Sequence, residues 1–132
     1  MTQDAEYNAF YSPTVSIYKF FKLFFGALKE NKRKQNVIKS DIVGQLYNAK
    51  KTGKYEDLLE EFSFFDNGIF VYSKQVEDGI SQMQLSGLIS KKNPRFIDII
   101  INDELDVDQI KRTDPKLFSK ARDLVRRHVL QS

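Results

Sequence analysis

The chain of 132 residues contains no cysteine, no tryptophan, one histidine and three prolines. Without cysteine there are neither disulfides nor thiolate metal sites, which favours a reducing compartment. No apolar run approaches the roughly 20 residues that span a bilayer, and the acidic start MTQDAEYNAF is unlike a signal peptide. We therefore expect a cytoplasmic protein without a membrane segment.

The hydrophobic content of 41% and the aromatic content of 13% suit one domain with a substantial core. We expect a flexible N-terminal arm over residues 1–12 and a single domain over residues 13–132. The net charge of +3 is unevenly distributed. Residues 19–54 hold ten Lys or Arg against two acids, and residues 55–78 hold seven acids against one Lys. This asymmetry predicts a basic side, an acidic side and a charged partner.

Hydrophobic periodicity predicts an α+β fold that is mainly helical, with about five helices. The first helix, residues 13–30, begins behind a Ser12 cap and is apolar around most of its circumference. It is therefore either the central helix of the domain or partly a surface for a partner. A charged turn over 29–36 separates it from a second helix, which runs from a Ser40 cap to about residue 51. A third short helix is expected over residues 54–62.

The last helix begins at about residue 114 and carries a single apolar stripe that includes Phe118 and Val125. One such stripe predicts packing along one face, either on the first helix or against a second copy in a homodimer. The acidic segment before it, residues 102–112, is expected to be a connector without regular structure.

The middle of the chain carries turn, helix-cap and strand signals in the order that is typical of a winged helix. Asp66-Asn67-Gly68 is a strong turn signal and predicts a small hairpin within residues 62–72. Ser73 is placed to cap a helix that ends before Gly87. Residues 88–90 and 95–101 then read as two strands around a basic turn, which form a β-hairpin wing in the C-terminal third.

Three stretches, YKFFKLFF, IVGQLYNAK and FDNGIFVYSKQVEDGI, occur here in the order seen in the Panacea domain of bacterial and phage antitoxins, which the chain resembles over about residues 15–101. Leu85, Gly87, Leu88 and Ile89 also resemble the end of the helix that precedes the wing in bacterial winged-helix proteins. Where the Panacea pattern has a Tyr-Gly-Pro turn, this chain has Asn67-Gly68-Ile69. The resemblance implies a non-enzymatic protein that neutralises a toxin by direct contact, and it carries over no catalytic residue.

The residues that carry catalysis in other proteins are poorly arranged in this sequence. His128 lies beside Leu124 and Val125 on the last helix, so we interpret it as structural. Adjacent carboxylates such as Glu60 and Glu61 diverge by about 100° on a helix and do not converge on one atom. No glycine-rich phosphate loop is present, and the acids of 103–108 lack the glycine of a calcium loop. We expect no enzyme activity, no metal and no cofactor.

Two kinds of partner remain open. For a protein partner such as a toxin or effector, the predicted contact residues are Tyr72, Lys74, Gln75, Asp78, Gln82 and Leu85. For DNA, the alternative, they are Lys74, Gln75, Ser81, Gln82, Lys91, Lys92 and Arg95. The wing cations favour phosphate contact, whereas Glu77 and Asp78 repel phosphate, and the helix has no arginine for guanine. The sequence therefore predicts a small binding protein that controls a partner protein, with a DNA-binding transcriptional regulator as the alternative.

Overall fold

The computed structural model describes residues 15–31, 36–91 and 98–130, and these residues form an α+β fold that is mostly helical. In chain order the elements are α1 (Ile17–Glu30), β1 (Asn36–Ile38), α2 (Lys39–Lys51), α3 (Glu56–Leu59), β2 (Phe65–Asp66), β3 (Val71–Tyr72), α4 (Lys74–Leu85), β4 (Ile89–Lys91), β5 (Asp98–Ile101), α5 (Val107–Thr113) and α6 (Pro115–Val125), followed by a π-helical turn (Arg126–Leu130). The predicted N-terminal arm lies outside the described residues.

Helix α1 is the centre of the domain and packs against α4, α5 and α6. Four of its phenylalanine rings, at positions 20, 21, 24 and 25, are fully buried and contact one another edge to face or stacked. The helix begins at Ile17, later than the predicted residue 13, because Ser16 is extended and its Oγ accepts a hydrogen bond from the Lys19 N–H. Of the two alternatives predicted for the first helix, the central, buried position is confirmed.

A three-stranded antiparallel sheet in the order β1-β5-β4 covers one side of the core. Val37 of β1 lies opposite Ile99 of β5, and both side chains are buried. Sequence reasoning predicted no strand at residues 36–38, and the predicted Ser40 cap is wrong. The chain stays extended through Ile38 to keep its pairing with β5, so α2 begins at Lys39 without a side-chain cap.

The predicted hairpin and the helix after it are confirmed. Strands β2 and β3 pair antiparallel around Gly68, whose φ is 88°. The Ser73 Oγ accepts from the Val76 N–H at 3.3 Å and caps α4, and Gly87 has a φ of 81° just beyond its end. Strands β4 and β5 pair as expected, but Lys91, predicted to begin the turn between them, is the last residue of β4. The rest of the predicted turn, residues 92–94, lies outside the described residues.

The six helices of the described residues exceed the expected five by α5, which occupies the end of the segment expected to be a connector. Asp106 caps α5 by accepting from the Gln109 N–H at 3.1 Å, and Ile110 is buried against α1 near Gly26. The third predicted helix is shorter than the expected 54–62, because only Glu56–Leu59 is α-helical.

Helix α6 packs on α1, which was one of its two predicted positions. Phe118 and Val125 are 2% and 1% exposed. The predicted homodimer through these side chains is therefore wrong, because they are buried within the protein and cannot contact a second copy. Hydrogen bonds also join α5 and α6 to the C-terminal end of α1, because Glu30 accepts from Lys111 of α5 and from Arg122 of α6.

Candidate partner-binding surface

One face of α4 points away from the core. Its members are the exposed side chains Lys74, Asp78, Ser81, Gln82 and Leu85, which we call the α4 surface. The opposite face buries Val76, Gly79, Ile80 and Met83. A helix of 12 residues extends about 18 Å, so the α4 surface is long enough to span much of a protein interface.

The charges of α4 are balanced within the protein. Lys74 Nζ lies 3.2 Å from Asp78 Oδ2 across one helical turn. Glu77 Oε1 lies 2.8 Å from Lys39 Nζ of α2. These pairs leave an exposed face with little net charge, which attracts neither phosphate nor a strongly basic surface.

Gln75, a predicted contact residue for both kinds of partner, is half-buried and makes two hydrogen bonds inside the protein. Its Oε1 accepts from the Ser63 N–H at 2.9 Å and from the Ser73 Oγ–H at 3.3 Å. The side chain therefore joins the start of α4 to the segment that enters the hairpin, and it lies beside the α4 surface rather than on it.

A second exposed surface lies on the β2–β3 hairpin, and sequence reasoning identified only Tyr72 of it. Phe65, Ile69, Phe70 and Tyr72 are 61%, 89%, 57% and 46% exposed, and we call them the hairpin patch. Phe65 and Tyr72 are opposite each other in the ladder, so they share one face. The aromatic run FSFFDNGIFVY indicated the hairpin, but it did not indicate which of its side chains are exposed.

The other face of the hairpin lies on the protein. Val71 packs against the core, and its opposite residue Asp66 accepts a hydrogen bond from the Tyr47 hydroxyl at 3.2 Å. The Gly68 N–H also donates to Asp66 Oδ1 at 2.9 Å, which closes the turn. Asp66 is thus directed toward α2 and the turn, and the hairpin patch carries no charge of its own.

Of the cations expected at the wing, the structure describes one. Lys91 ends β4 and is half-buried. Lys92 and Arg95 lie outside the described residues. The described part of the β4–β5 hairpin therefore contains one of the three side chains that were predicted to bind phosphate.

His128 lies at the edge of a small polar group that sequence reasoning did not find. The Tyr55 hydroxyl donates to Asp123 Oδ2 at 2.8 Å, and the His128 ring meets the Tyr55 ring edge to face at 5.7 Å. Burial and the Asp123 hydrogen bond raise the pKa of Tyr55 to about 12, and burial lowers the pKa of His128. A phenol with this pKa stays protonated at neutral pH, so the pair joins the α2–α3 turn to α6 as a structural contact.

A cleft of about 440 Å³ lies beside this group and is lined by Lys50, Tyr55, Glu56, Asp57, Leu59 and Glu60. Lys50, the cation that lines this cleft, is held by the protein itself, because its Nζ donates hydrogen bonds to the carbonyls of Leu59 and Phe62 at 2.9 and 2.7 Å.

Within residues 15–31, 36–91 and 98–130, no three acidic or histidine side chains are grouped to hold a metal ion. In the same ranges no helix has the length and apolarity needed to cross a membrane.

Comparisons of the chain with protein-family models, with curated proteins and with solved structures found no match.

Proposed function

We propose that this chain is a winged-helix protein that controls a partner protein by direct contact, in the manner of an antitoxin, and that it works without catalysis. The α4 surface is the proposed contact region, with Leu85 as its apolar anchor and Lys74, Asp78 and Gln82 as polar neighbours.

The order of elements supports the winged-helix assignment. Helix α4 is followed directly by β4 and β5, and β5 pairs with β1 from the other end of the domain. A winged helix has this arrangement: a helical layer, a three-stranded sheet with the first strand at one edge, and a hairpin after the helix that contacts the ligand. The α2–α3 segment and the small β2–β3 hairpin occupy the connection before that helix.

The observation that carries the proposed partner class is the internal balance of charge on α4. A helix that enters the major groove usually presents unpaired cations and arginine to phosphates and bases. Here Lys74 is paired with Asp78, and Glu77 lies on the same helix. Leu85 is 87% exposed beside uncharged Gln82, which is typical of a protein interface with an apolar anchor among neutral polar groups.

The alternative is a DNA-binding transcriptional regulator. The position of α4 before the wing favours it, since a recognition helix commonly occupies that place. In that case Ser81 and Gln82 face base edges, and Lys91 contacts phosphate together with Lys92 and Arg95, which lie outside the described residues.

A capture experiment tests the proposed partner contact. The full chain, Leu85→Asp and Ile69→Asp serve as baits in lysate of cells that carry the gene. Leu85 and Ile69 are exposed to nearly the same extent, so the two variants make the same change at different surfaces. We expect a protein that the full chain and Ile69→Asp retain and that Leu85→Asp retains at least ~10-fold less, because loss of an interface anchor costs at least about 1.4 kcal/mol.

The retained protein, expressed alone, is expected to arrest growth, and co-expression of the full chain is expected to restore it whereas Leu85→Asp does not. Capture of the same proteins at the same level by all three baits contradicts the α4 surface as the contact region. A retained protein without effect on growth contradicts the antitoxin-like role.

A further inference from the structure

Leu85, the proposed anchor of the partner contact, is positioned mainly by the backbone that carries it. Its side chain is 87% exposed, so contacts with the rest of the protein do little to fix it. Leu85 is the last residue of α4, and Ser86 follows as the C-cap. Helix ends fray, because the final carbonyls have no partners within the helix. The position of Leu85 therefore depends on what holds the end of α4.

Backbone hydrogen bonds close the end of α4 around a sharp reversal of the chain. The N–H groups of Ser86 and Leu88 donate to the carbonyls of Gln82 and Met83, each at 3.0 Å. Gly87 lies between them with a φ of 81°, a left-handed conformation that glycine adopts without strain. The chain leads from this reversal directly into β4.

Asn102, the first residue after β5, joins this reversal to the sheet. Its Nδ2 donates to the Gly87 carbonyl at 2.9 Å and to Ser90 Oγ at 3.0 Å, and the Ser90 hydroxyl donates to Asn102 Oδ1 at 3.1 Å. The backbone N–H of Asn102 donates to the Leu88 carbonyl at 3.0 Å. One residue thus holds three positions of the segment that follows Leu85.

Asn102 is itself held on the central helix. Lys29 Nζ of α1 donates to the carbonyls of Asn102, Asp103 and Leu105 at 3.1, 3.3 and 2.8 Å. These three acceptors match the three N–H donors of an ammonium group. A continuous series of hydrogen bonds therefore runs from α1 through Asn102 to Gly87 and the end of α4.

We propose that Asn102 is a positioning residue for the partner contact: through the Gly87 carbonyl it fixes the last turn of α4 and so pre-organises Leu85. This inference rests on the proposed function, because it assigns Asn102 a role in the contact at the α4 surface. A preformed anchor avoids the loss of backbone freedom that a frayed helix end undergoes when a partner binds. Asn102 acts through Leu85 and is not itself part of the α4 surface.

Substitutions at two neighbouring residues isolate the bond to Gly87. Asn102→Asp keeps the shape of the side chain, but a carboxylate has no N–H to donate and instead faces the Gly87 carbonyl. Ser90→Ala is the matched control, because it removes the bonds between Ser90 and Asn102 and leaves the bond to Gly87. Asn102→Ala, which removes the Gly87 bond without adding a charge, takes the place of Asn102→Asp if that variant does not fold.

NMR relaxation of the backbone amides measures the order at the end of α4 without any partner. We expect order parameters of about 0.85 at residues 86–88 in the parent chain and in Ser90→Ala, and below about 0.6 in Asn102→Asp. Ile80, inside α4, is expected to stay near about 0.85 in all three proteins. Unchanged order at residues 86–88 in Asn102→Asp overturns the proposal.

The affinity for the captured protein is the second readout. We expect Asn102→Asp to bind it ~10-fold more weakly and Ser90→Ala to bind it as the parent chain does, because ordering about one backbone residue on binding costs about tenfold. A merely structural role would lower stability and leave the affinity of the folded protein unchanged, and circular dichroism checks that each variant is folded. Loss of binding in Leu85→Asp but not in Asn102→Asp overturns this proposal alone. Binding that both variants retain overturns the proposed contact at the α4 surface as well.

Discussion

Replacement of Gly79 by alanine is expected to lower the free energy of unfolding by about 2 kcal/mol. A Cβ atom at this position lies 2.4 Å from the Phe21 ring and 2.8 Å from Ile17 Cγ2. The Phe21 ring is fully buried among other rings, including Phe62 at 5.8 Å, so it has no space into which to move. Overpacking at the upper end of its usual range costs about 3 kcal/mol, and the better helix propensity of alanine offsets about 1 kcal/mol of this.

Gly44→Ala is the matched control for Gly79→Ala, since it makes the same change inside α2. Apart from the neighbouring backbone of α2 itself, no atom of the described residues lies within 4 Å of the added Cβ. This variant is expected to be more stable than the parent chain by about 0.5–1 kcal/mol, from helix propensity alone. Urea denaturation of the three proteins measures both effects. If Gly79→Ala gains stability as Gly44→Ala does, α1 and α4 do not cross closely enough for a Cβ at residue 79 to meet the Phe21 ring.

Replacement of Glu30 by glutamine is expected to cost about 1–2 kcal/mol at neutral pH. The Glu30 Oε1 accepts from Arg122 Nε at 2.9 Å, and Oε2 accepts from Arg122 Nη2 at 2.9 Å and from Lys111 Nζ at 3.0 Å. The Glu30 side chain is only 29% exposed, so these bonds are less screened than those of an ordinary surface pair. Glutamine leaves two cations near each other without the carboxylate that holds them.

The same substitution is expected to change the dependence of stability on pH. Hydrogen bonds from Arg122, assisted by Lys111 and opposed by burial, hold the pKa of Glu30 below its usual value of 4.5. Because the folded pKa is the lower one, this contribution is complete above pH 4.5 and is lost as the pH falls through the folded pKa. Glu30→Gln removes this part of the acid sensitivity, while Glu104→Gln, at an exposed position, is expected to keep it.

Chemical denaturation from neutral to acidic pH measures these curves. Parallel curves for the parent chain and Glu30→Gln below pH 4.5 contradict the assigned role of Glu30 in joining α1 to α5 and α6.

The features that sequence predicted correctly are those whose cause is local. Asn67 and Gly68 tolerate a tight turn, Ser73 accepts a hydrogen bond from the first turn of its own helix, and Gly87 adopts a positive φ after it. Each depends on residues within four positions in the chain. The hairpin and both ends of α4 were therefore accessible without a structure.

Two elements were missed from the sequence. One depends on strand pairing between residues far apart in the chain, and the other has a helix-cap signal within a segment whose acidic composition favours a loop. Strand β1 exists because Val37 lies opposite Ile99, more than sixty residues later, and three residues alone carry too little pattern to predict it. Helix α5 had the local signal of Asp106 three residues before Gln109, but the acidic composition of its surroundings favoured a connector.

The candidate surfaces follow the same rule. The outward positions of α4 follow from helical spacing, so Lys74, Asp78, Gln82 and Leu85 were identified together. The hydrogen bond from the Ser63 N–H to Gln75 Oε1 was not predictable, because it joins two segments on either side of the hairpin. Nor was the exposure of Phe65, Ile69 and Phe70, since aromatic residues in a short run favour burial until the orientation of the hairpin is known.

Fluorescence anisotropy of labelled mixed-sequence duplex DNA, titrated with the full chain at low and at physiological salt, tests most directly whether the ligand is a protein rather than DNA. The balanced charges of α4 predict no binding at physiological salt and at most weak binding at low salt. Tight binding that weakens steeply with salt, and that triple replacement of Lys91, Lys92 and Arg95 by glutamate abolishes, would contradict the account and establish phosphate contact through the wing.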